Sequence, residues 1–395
     1  MWLIALIVAS GVMGLTIVAP ALPLIQQGLG STSDAVQKLL TVYLFALAAG
    51  QLVYGTVSDR IGRRPVLLFG ALLYAVGGAA AMFANNIELL TFCRIIQGLG
   101  AAACVSMGRA IVGDSFDRSD GARNMSTVAT ILAILPICSL AFGGLLAELV
   151  GWQSTMALIS ISGFLAFFVT WLKIQESNLE PIDSINLVAV FQAYRTVLKN
   201  PIFFCFMMTC GMQVGMFFAM NGFLPFQYQR LGYSSAEFGL WFATTPVSYL
   251  LGNALNRSYF VARGIERAAM LGCLLSLLSV IAYFVTQAMG MTHALSLAIP
   301  GSLFGFSNGI VVANTTMGAI TAAGRYAGTG NGISGAWQMA AGGIAGVLIT
   351  ALGGAENFQI AAGGMIVMSL IAVMAMYYVY ADSLKKTELT SKPSH

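Results

Sequence analysis

Arg94 is the residue whose surroundings ask most for an explanation. It lies inside an apolar run, about seven residues from one end, which is roughly 10 Å deep at 1.5 Å per helical residue. A charge inside hydrocarbon costs a few kcal/mol on insertion scales, so the guanidinium must face the protein interior or a water-filled cavity. Gln97 lies one turn on, and Gly98, Ala101 and Val105 continue the same face and permit close helix contact. Two readings follow. Arg94 lines a central cavity and organises a polar network that binds a substrate or influences a proton, or it is satisfied by neighbouring backbone carbonyls. Neutral polar stripes accompany it. Gln213, Phe217 and Asn221 fall at i, i+4, i+8, and Pro225 is expected to break the helix beyond them. Asn331, Gly335, Gln338 and Gly342 share a face, with Trp337 beside it. Asn308 and Thr315 share another with Asn314 near it, and Thr41 and Tyr43 lie on the second run. Each of these groups either faces a cavity or joins helices to one another. Tyr43, Phe217, Trp241 and Trp337 offer stacking surfaces.

Several chemistries are unsupported. There is no GxSxG, HExxH or Walker sequence, so neither an enzyme nor a nucleotide-driven pump is indicated. With two histidines, and six cysteines that all lie in apolar runs without a CxxC pair, no metal site, cofactor or nucleic-acid partner is expected. The fifteen carboxylates fall at the ends of apolar runs or between them. A positive cavity around an unpaired Arg94 is therefore expected, which suits an anionic or zwitterionic molecule better than a lipophilic cation.

The elements that must position these residues are membrane spans. The 395-residue chain is 58% hydrophobic and 9% charged, with mean hydropathy +0.82. A soluble protein carries about 25% charged residues, so the solvent here is lipid. Twelve runs reach the roughly 20 residues that cross a bilayer: 2–27, 36–58, 65–84, 87–113, 122–149, 152–173, 201–230, 235–256, 266–289, 293–320, 327–354 and 357–381. The first is too long for a signal peptide's apolar region and lacks a basic flank, so it counts as a span. With both termini on one side, fifteen of the nineteen Lys and Arg residues fall on that side, which identifies it as the cytoplasm. The opposite side holds Lys38 and Arg230, and Arg94 and Arg109 remain within the fourth run, Arg109 near enough to its cytoplasmic end to snorkel. The longest polar break, 174–200, divides the chain into six-helix groups, 1–173 and 201–381, followed by a tail, 382–395. Its middle, 185–198, suits an amphipathic helix on the membrane face. Gly50, Gly62 and Gly70 recur in spacing as Gly252, Gly264 and Gly272. The expected fold is an all-α membrane protein of two pseudo-symmetric six-helix bundles.

Some of these residues carry a family likeness. Gly55-Thr56-Val57-Ser58-Asp59-Arg60-Ile61-Gly62-Arg63-Arg64-Pro65 resembles the loop signature of the major facilitator superfamily. Gln51-Leu52-Val53-Tyr54 before it, Arg94-Ile95-Ile96-Gln97-Gly98, Arg109-Ala110-Ile111-Val112 with Asp114, and Pro20-Ala21-Leu22-Pro23 are similar to the drug:proton antiporter branch and its bicyclomycin-resistance group. Ala327-Gly328-Thr329 with Gly335 and Gln338 resembles the eleventh helix of that group. The resemblance spans nearly the whole chain.

It implies a monomeric secondary transporter of the bacterial inner membrane that exports small organic molecules, antibiotics among them, in exchange for protons. It also implies a cytoplasmic gate in which Asp59, Arg63 and Asp114, with Arg60 and Arg64 nearby, lock helices two, four and eleven, and a fifth helix shaped at Gly143 and Gly144. Two positions depart from the family pattern. Thr16 stands where an acid is common, and Leu140 where a second proline is expected after Pro136. The first departure and Arg94 favour a second reading, transport of an anionic metabolite or siderophore. The candidate substrate-binding residues are thus Thr16, Tyr43, Arg94, Gln97, Gln213, Phe217, Asn221, Trp241, Asn308, Asn314, Trp337 and Gln338.

Overall fold

In the computed structural model, which describes residues 2–115, 118–178 and 187–391, the chain is helical throughout, with no strand among the described residues. The helices are α1 (Trp2–Thr16), α2 (Leu22–Gly28), α3 (Ser33–Ile61), α4 (Arg63–Met82), α5 (Ile87–Ser115), α6 (Arg118–Val150), α7 (Gln153–Lys173), α8 (Leu187–Leu198), α9 (Pro201–Arg230), α10 (Ser235–Leu255), α11 (Ile265–Ala288), α12 (Leu295–Ala322), α13 (Ala327–Ala351) and α14 (Phe358–Ser391). Helices α1 and α2 form one span interrupted by a 3₁₀ turn at Ala19–Ala21. Pro20 has no N–H to offer the carbonyl of Thr16, and α1 stops there. With that span taken as one, and α8 set aside, twelve helices remain for the membrane. Ten candidate spans among the described residues are long and apolar enough to cross it by composition alone. Pro225 does not break its helix as expected: α9 runs through it to Arg230, at the expense of the backbone bond to the Asn221 carbonyl. Helix α8 falls where an amphipathic segment is expected, with Val197 buried and Val188 and Phe191 exposed. Asp117, Glu180, Asp183 and the last four residues, His395 included, lie outside the described residues.

The repeated glycines do the same work twice. Gly62 and Gly264 both adopt positive φ, 98° and 99°, and both cap the helix that follows, a conformation that a β-carbon disfavours. Gly50 and Gly70 lie against α5 at Ala102 and Ala103, and Gly252 and Gly272 lie against α12 at Phe306 and Val311. The two halves therefore bring their second, third and fourth spans together through equivalent small-residue contacts, the packing solution open to helices in lipid.

The halves meet mainly at one end. We call the end with the arginine-rich turn at Gly62 the basic end and its opposite the far end. At the far end α6 crosses α10, with Gly144 against the Ser235 carbonyl and Gly239 against that of Leu140. Helix α3 crosses α13 there, where Thr350 donates to Gln37 Oε1 (2.8 Å), Gly346 meets the Thr41 hydroxyl and Gly343 meets the Phe45 ring. Toward the basic end α3 and α13 lose such contacts. At Gly55, Gly328 and Gly332 nothing lies within 4 Å of where a β-carbon would be, and Asn331 is exposed. The structure is thus closed at the far end and parted at the basic end. Substitution of Gly144 by leucine is expected to keep the far end from closing, because the added side chain has only the α10 backbone to enter. Cysteine cross-linking between α6 and α10 checks this, with a lower yield than in the parent protein expected.

Candidate functional site

Between the halves, in the part of the helices between the two ends, lies a cavity of about 280 Å³. Val12 of α1 and Pro136 of α6 form one wall. Val214, Phe217 and Phe218 of α9 form the second, Thr245, Pro246 and Tyr249 of α10 the third, and Gly305, Asn308 and Val312 of α12 the last. The spacings are helical, 214 to 218, 245 to 249, and 305, 308 and 312, so each helix turns one stripe inward. Pro136 and Pro246 lie within their helices, α6 and α10. Phe217 stacks on Phe242 at 6.1 Å and 16°, which holds its ring as a flat wall. No charged side chain lines this space among the described residues. Its polar contributors are few. Asn308 donates its amide to the Gln213 carbonyl (3.3 Å), and Asn308 Oδ1 and Thr245 Oγ1 have no protein partner.

Arg94 is placed elsewhere. It is fully buried within the first six spans, under the Tyr43 ring at 4.1 Å. Its Nη1 donates to the Gly14 carbonyl (2.8 Å) and to Gln97 Oε1 (2.7 Å), and its Nε to the Leu39 carbonyl (3.3 Å). Gly14 lies in the last turn of α1, where carbonyls run out of amide partners and the helix dipole is negative. The break that Pro20 imposes on α1 thus supplies an acceptor and partial negative charge to an arginine that no carboxylate pairs. Gln97 passes its amide to the Gly77 carbonyl (3.0 Å), and Tyr43 donates to the Gly11 carbonyl (2.7 Å). The arrangement ties α1, α3, α4 and α5 together. Arg94 does not line the cavity between the halves: its Nη1 and Nε turn into this network, and its Nη2 is buried without a protein partner.

The remaining candidates scatter. Thr16 is buried and shares a hydrogen bond with Ser139 (2.6 Å), joining α1 to α6. Gln213 accepts from Ser276 (3.1 Å) and Asn314 donates to Asn256 Oδ1 (2.8 Å), both within the second half. Asn221 bonds the Phe217 carbonyl on its own helix (2.7 Å). Trp337 packs on Gly211, while Trp241 and Gln338 are partly buried outside the cavity wall. Of the twelve candidates, Phe217 and Asn308 line the cavity. The residues that sequence reasoning passed over are mostly apolar or small, with Thr245 and Tyr249 as polar exceptions, and the signal that marks those of α10 is Pro246 inside the helix with Tyr249 about one turn away.

At the basic end Arg63 donates to Asp59 and Ser58, and its Nε to Asp114 Oδ2 (3.1 Å). Arg64 reaches the Trp171 carbonyl (2.9 Å), and Arg60 and Arg109 are exposed. The sequence resemblance implied a lock that includes helix eleven. Among the described residues the cluster instead joins α3, α4, α5 and the segment after α7, and none of its hydrogen bonds reaches α13. Glu176 completes it, accepting from the backbone N–H groups of Arg63 (2.8 Å) and Arg64 (3.0 Å) as well as Ser177 and Asn178. Partial burial alone would raise its pKa, but these four donors outweigh burial and hold it below the ordinary carboxylate value. A depressed folded-state pKa stabilises the protein above the unfolded value, and the contribution disappears as pH falls through the folded one. Glu176→Gln is therefore expected to lower thermal stability at neutral pH by less than about 1 kcal/mol, since the group is largely solvated and Gln keeps an acceptor. Melting curves of the two proteins should converge as pH drops below the carboxylate range.

A family model described as Major Facilitator Superfamily matches residues 4–347. The chain belongs to the major facilitator superfamily. Curated relatives include a chloramphenicol resistance protein of Pseudomonas aeruginosa, 28% identical over 75% of this chain and 74% of that one. A bicyclomycin resistance protein homolog of Haemophilus influenzae is 24% identical over 94% of each. Among solved structures, a bacterial homolog of the human lysosomal transporter Spinster, described as inward-facing and unoccupied, superposes with a TM-score of 0.73 at 17% identity, covering 100% of this chain and 98% of that one. This likeness speaks for the fold. The protein is thus a multi-pass membrane transporter of the twelve-helix major facilitator fold.

Proposed function

We propose that this superfamily member exports small, uncharged, mainly apolar organic molecules, antibiotics among them, across the bacterial inner membrane in exchange for protons. The observation that carries the reading is the inter-half cavity: among the described residues it is lined by two phenylalanines, three valines and two prolines, with Asn308, Thr245 and Tyr249 as its polar groups and no charge. A carboxylate moved into such a wall would lose its hydration without gaining a cation, at a cost of several kcal/mol. The anionic-metabolite reading draws no support from this lining. The names of the two relatives, resistance to chloramphenicol and to bicyclomycin, accord with an uncharged cargo.

In this reading the basic end faces the cytoplasm, as the Lys and Arg distribution favours. The segments 1–173 and 201–381 move as two bodies joined by 174–200, and a monomer suffices. Cargo reaches the cavity from the cytoplasm through the parted ends of α3 and α13. The seams at the far end then open while the Asp59–Arg63–Asp114 cluster meets the other half. The protein carries cargo and makes no covalent change to it. Binding to the purified protein tests the cargo class. An uncharged probe such as chloramphenicol should bind and a benzoate-type carboxylate should not. Binding of the carboxylate with equal or greater affinity would overturn the reading.

A further inference from the structure

We propose that Glu148 is the latch of the far end, holding it shut by capping a helix of the opposite half. Helix α10 begins with a capping box in which the Ser234 hydroxyl accepts from the Glu237 N–H and the Glu237 carboxylate accepts from the Ser234 N–H. The box leaves the N–H groups of Ser235 and Ala236 without a partner on their own helix. The Ala236 N–H donates to Glu148 Oε2 at 3.0 Å, and Glu148 lies on α6, in the other half. The first turn of α10 is thus completed in trans.

The register that brings them together is built in. Gly239 lies against the Leu140 carbonyl and Gly144 against the Ser235 carbonyl, so successive turns of α6 meet α10 backbone to backbone. Glu148 is one turn beyond Gly144, at the place where the crossing reaches the positive end of α10. Asp59, Asp114 and Glu237 bond within one half, whereas Glu148 bonds across the seam. A cap of this kind exists only while the two helices touch. It therefore favours the closed far end selectively, as a contact that shifts a two-state equilibrium must. Glu148 is exposed and borders an external hollow of about 210 Å³ with Gln27 and Gln229. Water competes for its carboxylate there, which keeps the latch weak enough to open in each cycle.

The latch rests on the alternating-access reading, but its test requires no cargo and so fails or succeeds apart from the transport assay. Spin labels would be placed on cysteines introduced at Asn85 and Thr292, exposed far-end positions of the two halves, in a full-length background whose six native cysteines are replaced. Distances between them would be measured in lipid nanodiscs without substrate. Glu148→Ala is expected to raise the population with the long, open distance about two- to fivefold, the effect of one exposed charge at a helix end. Glu148→Gln, which retains an acceptor without charge, should fall between. Ala236→Pro removes the donor within the helical first turn and should match Glu148→Ala, and the double variant should add nothing further. An unchanged distance distribution in Glu148→Ala, or additive effects in the double variant, would overturn the proposal. If Ala236→Pro does not fold, the graded response of the two Glu148 variants still decides it.

Discussion

Arg94→Ala should abolish transport and lower the melting temperature of the purified protein by about 5–10 °C, taking the first six spans as the unfolding unit. The substitution leaves the Gly14 carbonyl, the Leu39 carbonyl and Gln97 Oε1 without their donor inside the helix bundle. Unsatisfied buried groups of this kind cost about 1–3 kcal/mol each before the structure relaxes, and the stacking of the guanidinium on Tyr43 is lost with them. Arg94→Lys should do nearly as badly, because one ammonium cannot span acceptors on α1, α3 and α5 that a planar fork reaches together. Thermal unfolding in detergent, run beside a transport assay, checks both variants. A variant with full stability and no flux would instead mean that Arg94 contacts cargo or a proton.

The second large effect is expected at Val214. Its side chain lines the cavity between the halves and carries none of the hydrogen bonds that hold them. Val214→Trp places an indole in the space of about 280 Å³ that cargo would occupy. Binding of an uncharged drug should weaken about tenfold or more, which is about 1.4 kcal/mol. The melting temperature should stay close to that of the parent, because the added volume enters a void and does not force apart a filled core. Arg94 and Val214 thus separate support from recognition. One variant loses stability and transport together, and the other loses transport alone.

Much of the architecture was legible in the sequence because lipid imposes a length and a polarity on every span. Hydropathy located the spans, and the spacing of Gly50, Gly62 and Gly70, repeated at Gly252, Gly264 and Gly272, pointed to related halves without saying what the glycines would touch. The sequence reads 2–27 as one helix, and nothing local said that Pro20 would interrupt it or that the carbonyl of Gly14 would meet Arg94, eighty residues away. The same limit applies to Thr16. Its pairing with Ser139 spans 123 residues and depends on how α1 lies on α6. Polar residues attracted attention as site candidates, yet in lipid a polar side chain first finds a partner on a neighbouring helix, as Gln213, Asn314 and Gln97 do. What remains between the halves is a mainly apolar cavity wall, with Asn308, Thr245 and Tyr249 as its polar groups. In the sequence Glu148 counts as an acid at an outer end or loop and Glu176 as part of the polar break 174–200. Both cap a helix from another part of the chain, a role that no local pattern encodes.

The central claim is that uncharged molecules leave through the cavity between the halves. Flux in reconstituted vesicles tests it most directly, with an imposed pH gradient, chloramphenicol and a carboxylate probe supplied in parallel, and Val214→Trp as the control. The account predicts gradient-driven movement of chloramphenicol, none of the carboxylate, and loss of the drug flux in Val214→Trp. Carboxylate movement without drug movement, or drug flux undiminished by the tryptophan, would contradict it.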